Sequence, residues 1–118
     1  MANELPSSER EIMHRVGFVV GGKDEMKPRR QAILARLFRL ARHPQIVSRD
    51  FIAEWGNPNS AVRLKKMAHS IAAFCRQAKQ RPRSIMRRTI ENYEADLAWL
   101  KNKYYDGRFD NKFRWPHY

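Results

Sequence analysis

The chain has 118 residues and 42% of them are hydrophobic, which suits one domain with a real core. It carries 24 Lys and Arg against 12 Asp and Glu, so the formal net charge is +12. The regular spacing of apolar residues argues against a disordered chain. No run reaches the roughly 18 consecutive apolar residues of a membrane span. A single cysteine excludes an intramolecular disulfide framework. We expect a single all-α domain over residues 1–118, with no metal, no cofactor and no membrane contact, in the cytoplasm.

The first two helices are predicted from their caps and their apolar periodicity. Ser8-Glu9-Arg10-Glu11 has the pattern of a capping box and predicts a helix to about Val20, which the pair Gly21-Gly22 ends. A second helix is predicted from about Pro28 to Arg42, since proline suits a first helical turn and His43-Pro44 stops the helix.

A short helix and a long helix follow on either side of a tight turn. The short helix covers about residues 49–55, and Gly56-Asn57-Pro58-Asn59 is the turn. Ser60 or Asn59 caps the long helix, which ends near Lys79. This order and these lengths are typical of a helix-turn-helix, in which the start of the second helix enters the major groove. An ordinary helical hairpin in a bundle is the alternative.

The fifth predicted helix carries an apolar seam and ends at Asp106-Gly107. The spacings along the seam are 4, 3, 4, 3 and 4, at Met86, Ile90, Tyr93, Leu97, Leu100 and Tyr104. Such a seam packs within a helical bundle or joins two copies of the chain. Two or three heptads do not make an independent coiled coil.

The last 15 residues hold six of the thirteen aromatic side chains. A frayed terminus does not normally concentrate so many rings, so we expect this tail to fold back over the bundle or to dock on another subunit. The candidate oligomer or partner contacts from the seam and the tail are Tyr93, Leu97, Leu100, Tyr104, Phe109, Phe113 and Trp115.

The positive charge is concentrated in residues 27–88, which hold sixteen basic and two acidic side chains, a balance of +14. Self-repulsion at this density favours an anionic partner, of which nucleic acid is the commonest. Asparagine and arginine can contact base edges, and lysine and arginine contact phosphates. The candidates for contact with base edges are Asn57, Asn59, Ser60 and Arg63. The candidate nucleic-acid contacts are Arg29, Arg36, Arg49, Asn59, Ser60, Arg63, Lys65, Lys66, Arg81, Arg83, Arg87 and Arg88.

No catalytic pattern accompanies this charge. The four histidines are far apart in sequence, and neither a Cys-x-x-Cys nor a His-Glu-x-x-His motif occurs. We expect a non-enzymatic nucleic-acid-binding protein, binding DNA or RNA. The alternative is a protein–protein adaptor or inhibitor that uses the basic face on an acidic protein and the seam and tail for assembly, including as a homodimer. The size and charge suit small proteins of phages or mobile elements and small subunits of nucleoprotein complexes.

Overall fold

A computed structural model describes residues 12–14, 16–18, 20–21, 27–39, 41 and 50–118. These residues form helices and no strand, so the all-α prediction is confirmed. Helix α1 is described at residues 12–14, and the longer helices are α2 (Lys27–Arg39), α3 (Asp50–Trp55), α4 (Ala61–Lys79) and α5 (Arg83–Leu100). The predicted capping box at Ser8 and the candidate contact Arg49 lie outside the described residues.

The end of α1 differs from the prediction. Gly17 adopts the left-handed φ of 91°, its amide donates to the carbonyl of His14 at 2.9 Å, and the amide of Phe18 donates to that of Met13 at 3.0 Å. This pair of hydrogen bonds is the Schellman motif, which ends a helix on a glycine. The helix therefore stops at Gly17, and the prediction that it continues to about Val20 is wrong.

Helix α4 supplies the centre of the core. Its inner face is apolar, and Leu64, Met67 and Ile71 are 0% exposed. The apolar residues of α2, among them Leu34 and Phe38, belong to the same cluster of buried side chains. Burying one such aliphatic or aromatic side chain contributes about 1.5–3 kcal/mol, so this cluster is the main stabilising element of the bundle.

The seam of α5 packs inside the chain. Leu97 and Leu100 are 0% exposed and Tyr104 is 8% exposed, all within the main core cluster, while Ile90 packs against Cys75 of α4. Tyr93 is half-buried, with its ring centroid 6.1 Å from that of Phe74. The bundle interpretation of the seam is correct, and Leu97, Leu100 and Tyr104 are not available as contacts to a second subunit.

Helix α5 continues into a π-helical turn, Lys101–Tyr105, before the tail begins. The amide of Asp106 donates to the carbonyl of Lys101, five residues earlier, at 2.9 Å. The tail then folds back: its half-buried rings Phe109, Phe113 and Trp115 pack against the core. These three side chains therefore serve the chain's own core, which is the first of the two alternatives for the tail.

A candidate nucleic-acid interface on α4 and the start of α5

The outer face of α4 is a basic stripe that runs most of the helix. Its members share one side of the helix and are exposed or half-buried: Val62, Lys65, Lys66, His69, Ala73 and Arg76. The first and last lie about 21 Å apart at 1.5 Å per residue. We call this set the α4 stripe. It contains three cationic side chains and no acidic one.

The turn before α4 is held by hydrogen bonds within the turn and by one to α2. The hydroxyl of Ser60 accepts the amide of Arg63 at 3.1 Å and donates to the carbonyl of Asn57 at 2.6 Å. The amide of Asn59, which adopts a φ of 59°, donates to the carbonyl of Phe38 at the end of α2 at 2.9 Å. Of the two predicted caps, Ser60 is thus the N-cap of α4, and its single O–H proton is used within the turn. The side chains of Asn57 and Asn59 are exposed beside it.

Arg63 points into the protein and not toward a partner. It is 0% exposed, and its guanidinium donates to the carbonyls of Trp55 at 3.1 Å, Gly56 at 2.7 Å and Leu37 at 2.7 Å. Burial lowers its pKa, and the three carbonyls supply the polar contacts that a buried guanidinium requires. The prediction that Arg63 contacts nucleic acid is therefore wrong: it joins the ends of α2 and α3 to the start of α4.

Sequence periodicity holds a signal for this burial. Arg63 is four residues before Met67, and it falls on the same buried line of α4 as Ser70 and Phe74. Charge alone suggested an exposed side chain. The carbonyls that accept its hydrogen bonds come from two separate places in the chain, Leu37 on α2 and the consecutive residues Trp55 and Gly56 at the end of α3, and no local pattern brings them together.

A second group of cations surrounds the turn between α4 and α5. Four of its side chains are exposed, at Arg81, Arg83, Arg87 and Arg88, and we call them the hairpin cluster. Pro82 is the N-cap of α5 and makes no side-chain cap hydrogen bond, and the first turn contains no acidic residue. Because the free amides and the helix dipole at this end both favour an anion, the cluster has the character of a phosphate site.

The other predicted basic contacts divide between α2 and α4. Arg29 and Arg36 are exposed on α2, and Lys65 is exposed on α4. Lys66 is half-buried, with its ammonium 5.7 Å from the ring centroid of Trp55. Arg30, which the charge count included, is buried: it pairs with Asp96 and does not belong to the surface.

The tail adds a basic residue that the sequence analysis missed. Arg108 is exposed, its guanidinium donates to the carbonyl of Asn59 at 3.4 Å, and it lies 5.8 Å from the ring centroid of Phe38. It follows the charge-rich segment by twenty residues, so composition did not mark it. The fold places it beside the α3–α4 turn.

The tail also lies along α4 from the middle of the helix to its end. The ring of Phe113 is 6.5 Å from that of His69, Arg76 donates to the carbonyl of His117 at 2.5 Å, and the ammonium of Lys79 is 5.6 Å from the ring of Tyr118. The first two turns of α4 are thus the part of the stripe farthest from these tail contacts.

No protein-family model, curated protein or solved structure matches the chain. Within the described residues, no helix combines the length and the apolar character that a membrane crossing requires. The same residues contain no group of three His, Cys, Asp or Glu side chains placed to hold a metal ion.

Proposed function

We propose that this protein binds nucleic acid through the α4 stripe and the hairpin cluster. One observation carries the proposal. Residues 55–90 contain nine Lys and Arg and no Asp or Glu, and every one of those nine except Arg63 lies outside the buried core. Although Lys79 pairs with Glu94 at 3.0 Å, positive charge remains in excess along the helix. Such an excess repels itself, and a partner with regularly repeated negative charges relieves that repulsion.

The arrangement of the cations supports a polyanion over a single anion. Lys65 and Lys66 lie near the start of α4, and the hairpin cluster lies beyond its end, so the two groups are separated by most of a helix about 28 Å long. A nucleic-acid backbone presents phosphates over such a distance, whereas a small anion reaches only one of the groups. All four side chains of the hairpin cluster are arginine, which suits forked contacts to phosphate.

Helices α3 and α4 act in this proposal as a helix-turn-helix-like element. The order of a short helix, a tight turn and a long helix is that of the motif, and Asn57 and Asn59 are exposed at the turn. In contrast to the sequence interpretation, Arg63 stabilises the turn from inside. Lys65, Lys66 and Arg108 supply the phosphate contacts around it.

The proposal is tested by measuring binding to fluorescently labelled duplex DNA of about 20 base pairs and single-stranded RNA of about 20 nucleotides. Each is measured at salt concentrations of about 50 and 200 mM. If the two lysines and the four arginines of the hairpin cluster contact phosphates, affinity for the preferred nucleic acid falls about a thousandfold between the two salt concentrations. Absence of binding to either nucleic acid at about 50 mM salt would contradict the proposal.

A pair of charge reversals locates the surface. Lys65→Glu removes a cation of the α4 stripe. It makes the fall of log affinity with log salt shallower, reducing the magnitude of the slope by about 1 or more. Lys103→Glu changes the net charge equally, on the π-helical turn at the other end of α5 from the hairpin cluster, and leaves the slope unchanged. Equal effects of the two substitutions would mean that net charge, and not this surface, determines binding.

A further inference from the structure

The exposed face of the first two turns of α4 has an apolar centre. Val62 is 59% exposed, and with Glu54, Lys65, Lys66 and His69 it lines a shallow groove of about 210 Å³. The two lysines place positive charge beside this apolar surface. The carboxylate of Glu54 lies on the α3 side, so an approaching polyanion is favoured on the lysine side of the groove.

The position of Val62 is fixed by its neighbours. A Cβ added to Gly56 would lie 2.6 Å from Cγ1 of Val62, so the valine methyl rests directly against the backbone of the α3–α4 turn. A β-branched side chain in a helix has one strongly preferred rotamer. The apolar contact surface is therefore held in place before any partner binds.

This combination matches the major groove of B-form DNA. The groove is about 12 Å wide and admits a helix whose diameter with side chains is about 10–12 Å. The 5-methyl group of thymine is the apolar group that base pairs display there, and it pairs with small apolar side chains. The major groove of A-form RNA is too narrow for such side chains to enter.

We infer that the partner is duplex DNA, with the first two turns of α4 in the major groove and Val62 against a thymine methyl, an inference that rests on the proposed nucleic-acid binding. Lys65 and Lys66 then contact phosphates beside the groove. The inference adds to the proposed function both the class of nucleic acid and a base group that the protein recognises.

The test replaces thymine by deoxyuridine, which removes only the methyl group. Affinity is measured for an A·T-rich duplex of about 20 base pairs in its thymine and deoxyuridine forms and for the RNA duplex of the same sequence. We expect the wild-type protein to bind the deoxyuridine duplex about fourfold more weakly per contacted methyl, and the RNA duplex more weakly still. Val62→Ala removes the two methyl groups proposed to contact the thymine methyl and reduces the preference for thymine.

Ile85→Ala is the matched control, because Ile85 is the other strongly exposed aliphatic side chain among the described residues, at 70%, and lies at the start of α5. This variant keeps the preference for thymine over deoxyuridine. Equal binding of the two DNA forms by the wild-type protein, or tighter binding of the RNA duplex, overturns the inference and leaves nucleic-acid binding standing. Absence of binding to all three duplexes and to single strands overturns the proposed function itself.

Discussion

The guanidinium of Arg30 donates two hydrogen bonds to the carboxylate of Asp96, at 2.7 and 3.2 Å. Arg30 is on α2 and Asp96 on α5, and their side chains are 3% and 0% exposed. A buried pair of this kind contributes little beyond what a hydrophobic pair would, but removing one partner leaves an uncompensated charge in the core. The pair therefore makes the docking of α2 on α5 sensitive to single substitutions.

Substitution of one partner is expected to destabilise the fold strongly. Arg30→Met leaves the Asp96 carboxylate buried without its guanidinium, which costs about 3–5 kcal/mol of unfolding free energy at neutral pH. Urea denaturation followed by circular dichroism measures this loss. The double variant Arg30→Met with Asp96→Leu recovers most of it; a double variant as unstable as the single one would contradict this account.

The single variant Arg30→Met is expected to gain stability on acidification relative to the wild type. Burial raises the pKa of Asp96, while the hydrogen bond and the charge of Arg30 and the charge of Lys27 lower it. Without Arg30, the pKa of Asp96 in the folded protein lies further above its pKa in the unfolded chain. Between these two pKa values the folded protein binds more protons than the unfolded chain does. Stability from this group is present below the unfolded pKa and is lost as pH rises through the folded pKa. Urea unfolding should give a smaller deficit for Arg30→Met near pH 4 than near pH 7.

Arg63 and Lys65 are two positions apart, but we expect substitution of Arg63 to reduce stability and substitution of Lys65 to reduce nucleic-acid binding. Arg63→Lys replaces a planar fork of five donors with an ammonium of three, which cannot make the four hydrogen bonds of Arg63 to the carbonyls of Leu37, Trp55 and Gly56, and it costs about 3 kcal/mol of unfolding free energy. Lys65→Met changes stability by less than about 0.5 kcal/mol and weakens nucleic-acid binding. Unchanged stability in Arg63→Lys would contradict the structural role of Arg63.

Two glycines with similar backbone angles separate conformational strain from steric clash. Gly107 has a φ of 76° with nothing within 4 Å of a built Cβ, so Gly107→Ala costs only the left-handed strain of about 1–2 kcal/mol. Gly56 has a φ of 80°, and its Cβ would also lie 2.6 Å from Cγ1 of Val62 and 3.1 Å from the amide nitrogen of Arg63. Gly56→Ala is therefore expected to lower the unfolding free energy by about 1–3 kcal/mol more than Gly107→Ala does. Thermal unfolding of the two variants measures this difference. Adding Val62→Ala should recover part of that difference, and no recovery would show that the clash is elsewhere.

The packing of the tail predicts a loss of stability without a change of assembly. The ring of Trp115 is 4.8 Å from that of Tyr105, whose hydroxyl donates to the carbonyl of Phe113. Trp115→Ala should lower the unfolding free energy by about 2 kcal/mol, below the value for a fully buried tryptophan because Trp115 is half-buried. Light scattering should give the same mass as for the wild type. A halved mass would mean that the tail docks on a second subunit.

The sequence predicted the helices well where the signals are local. Ser60 caps α4 as its position indicated, and the seam of α5 is buried along the line that its spacing predicted. Helix caps involve residues three or four apart, and an apolar periodicity is a property of one helix. The end of α1 was missed because three glycines compete there, and the backbone hydrogen bonds of Gly17 decide between them.

The sequence by itself determined an all-α chain with a strongly basic middle, since periodicity and charge are properties of neighbouring residues. Only the tertiary structure decided which cations face outward. Arg30 is buried because α5 brings it a carboxylate, Arg63 is buried because three carbonyls surround it, and Arg108 reaches the α3–α4 turn because the tail folds back. A buried charge is stable only beside its partners, and those partners come from distant parts of the chain.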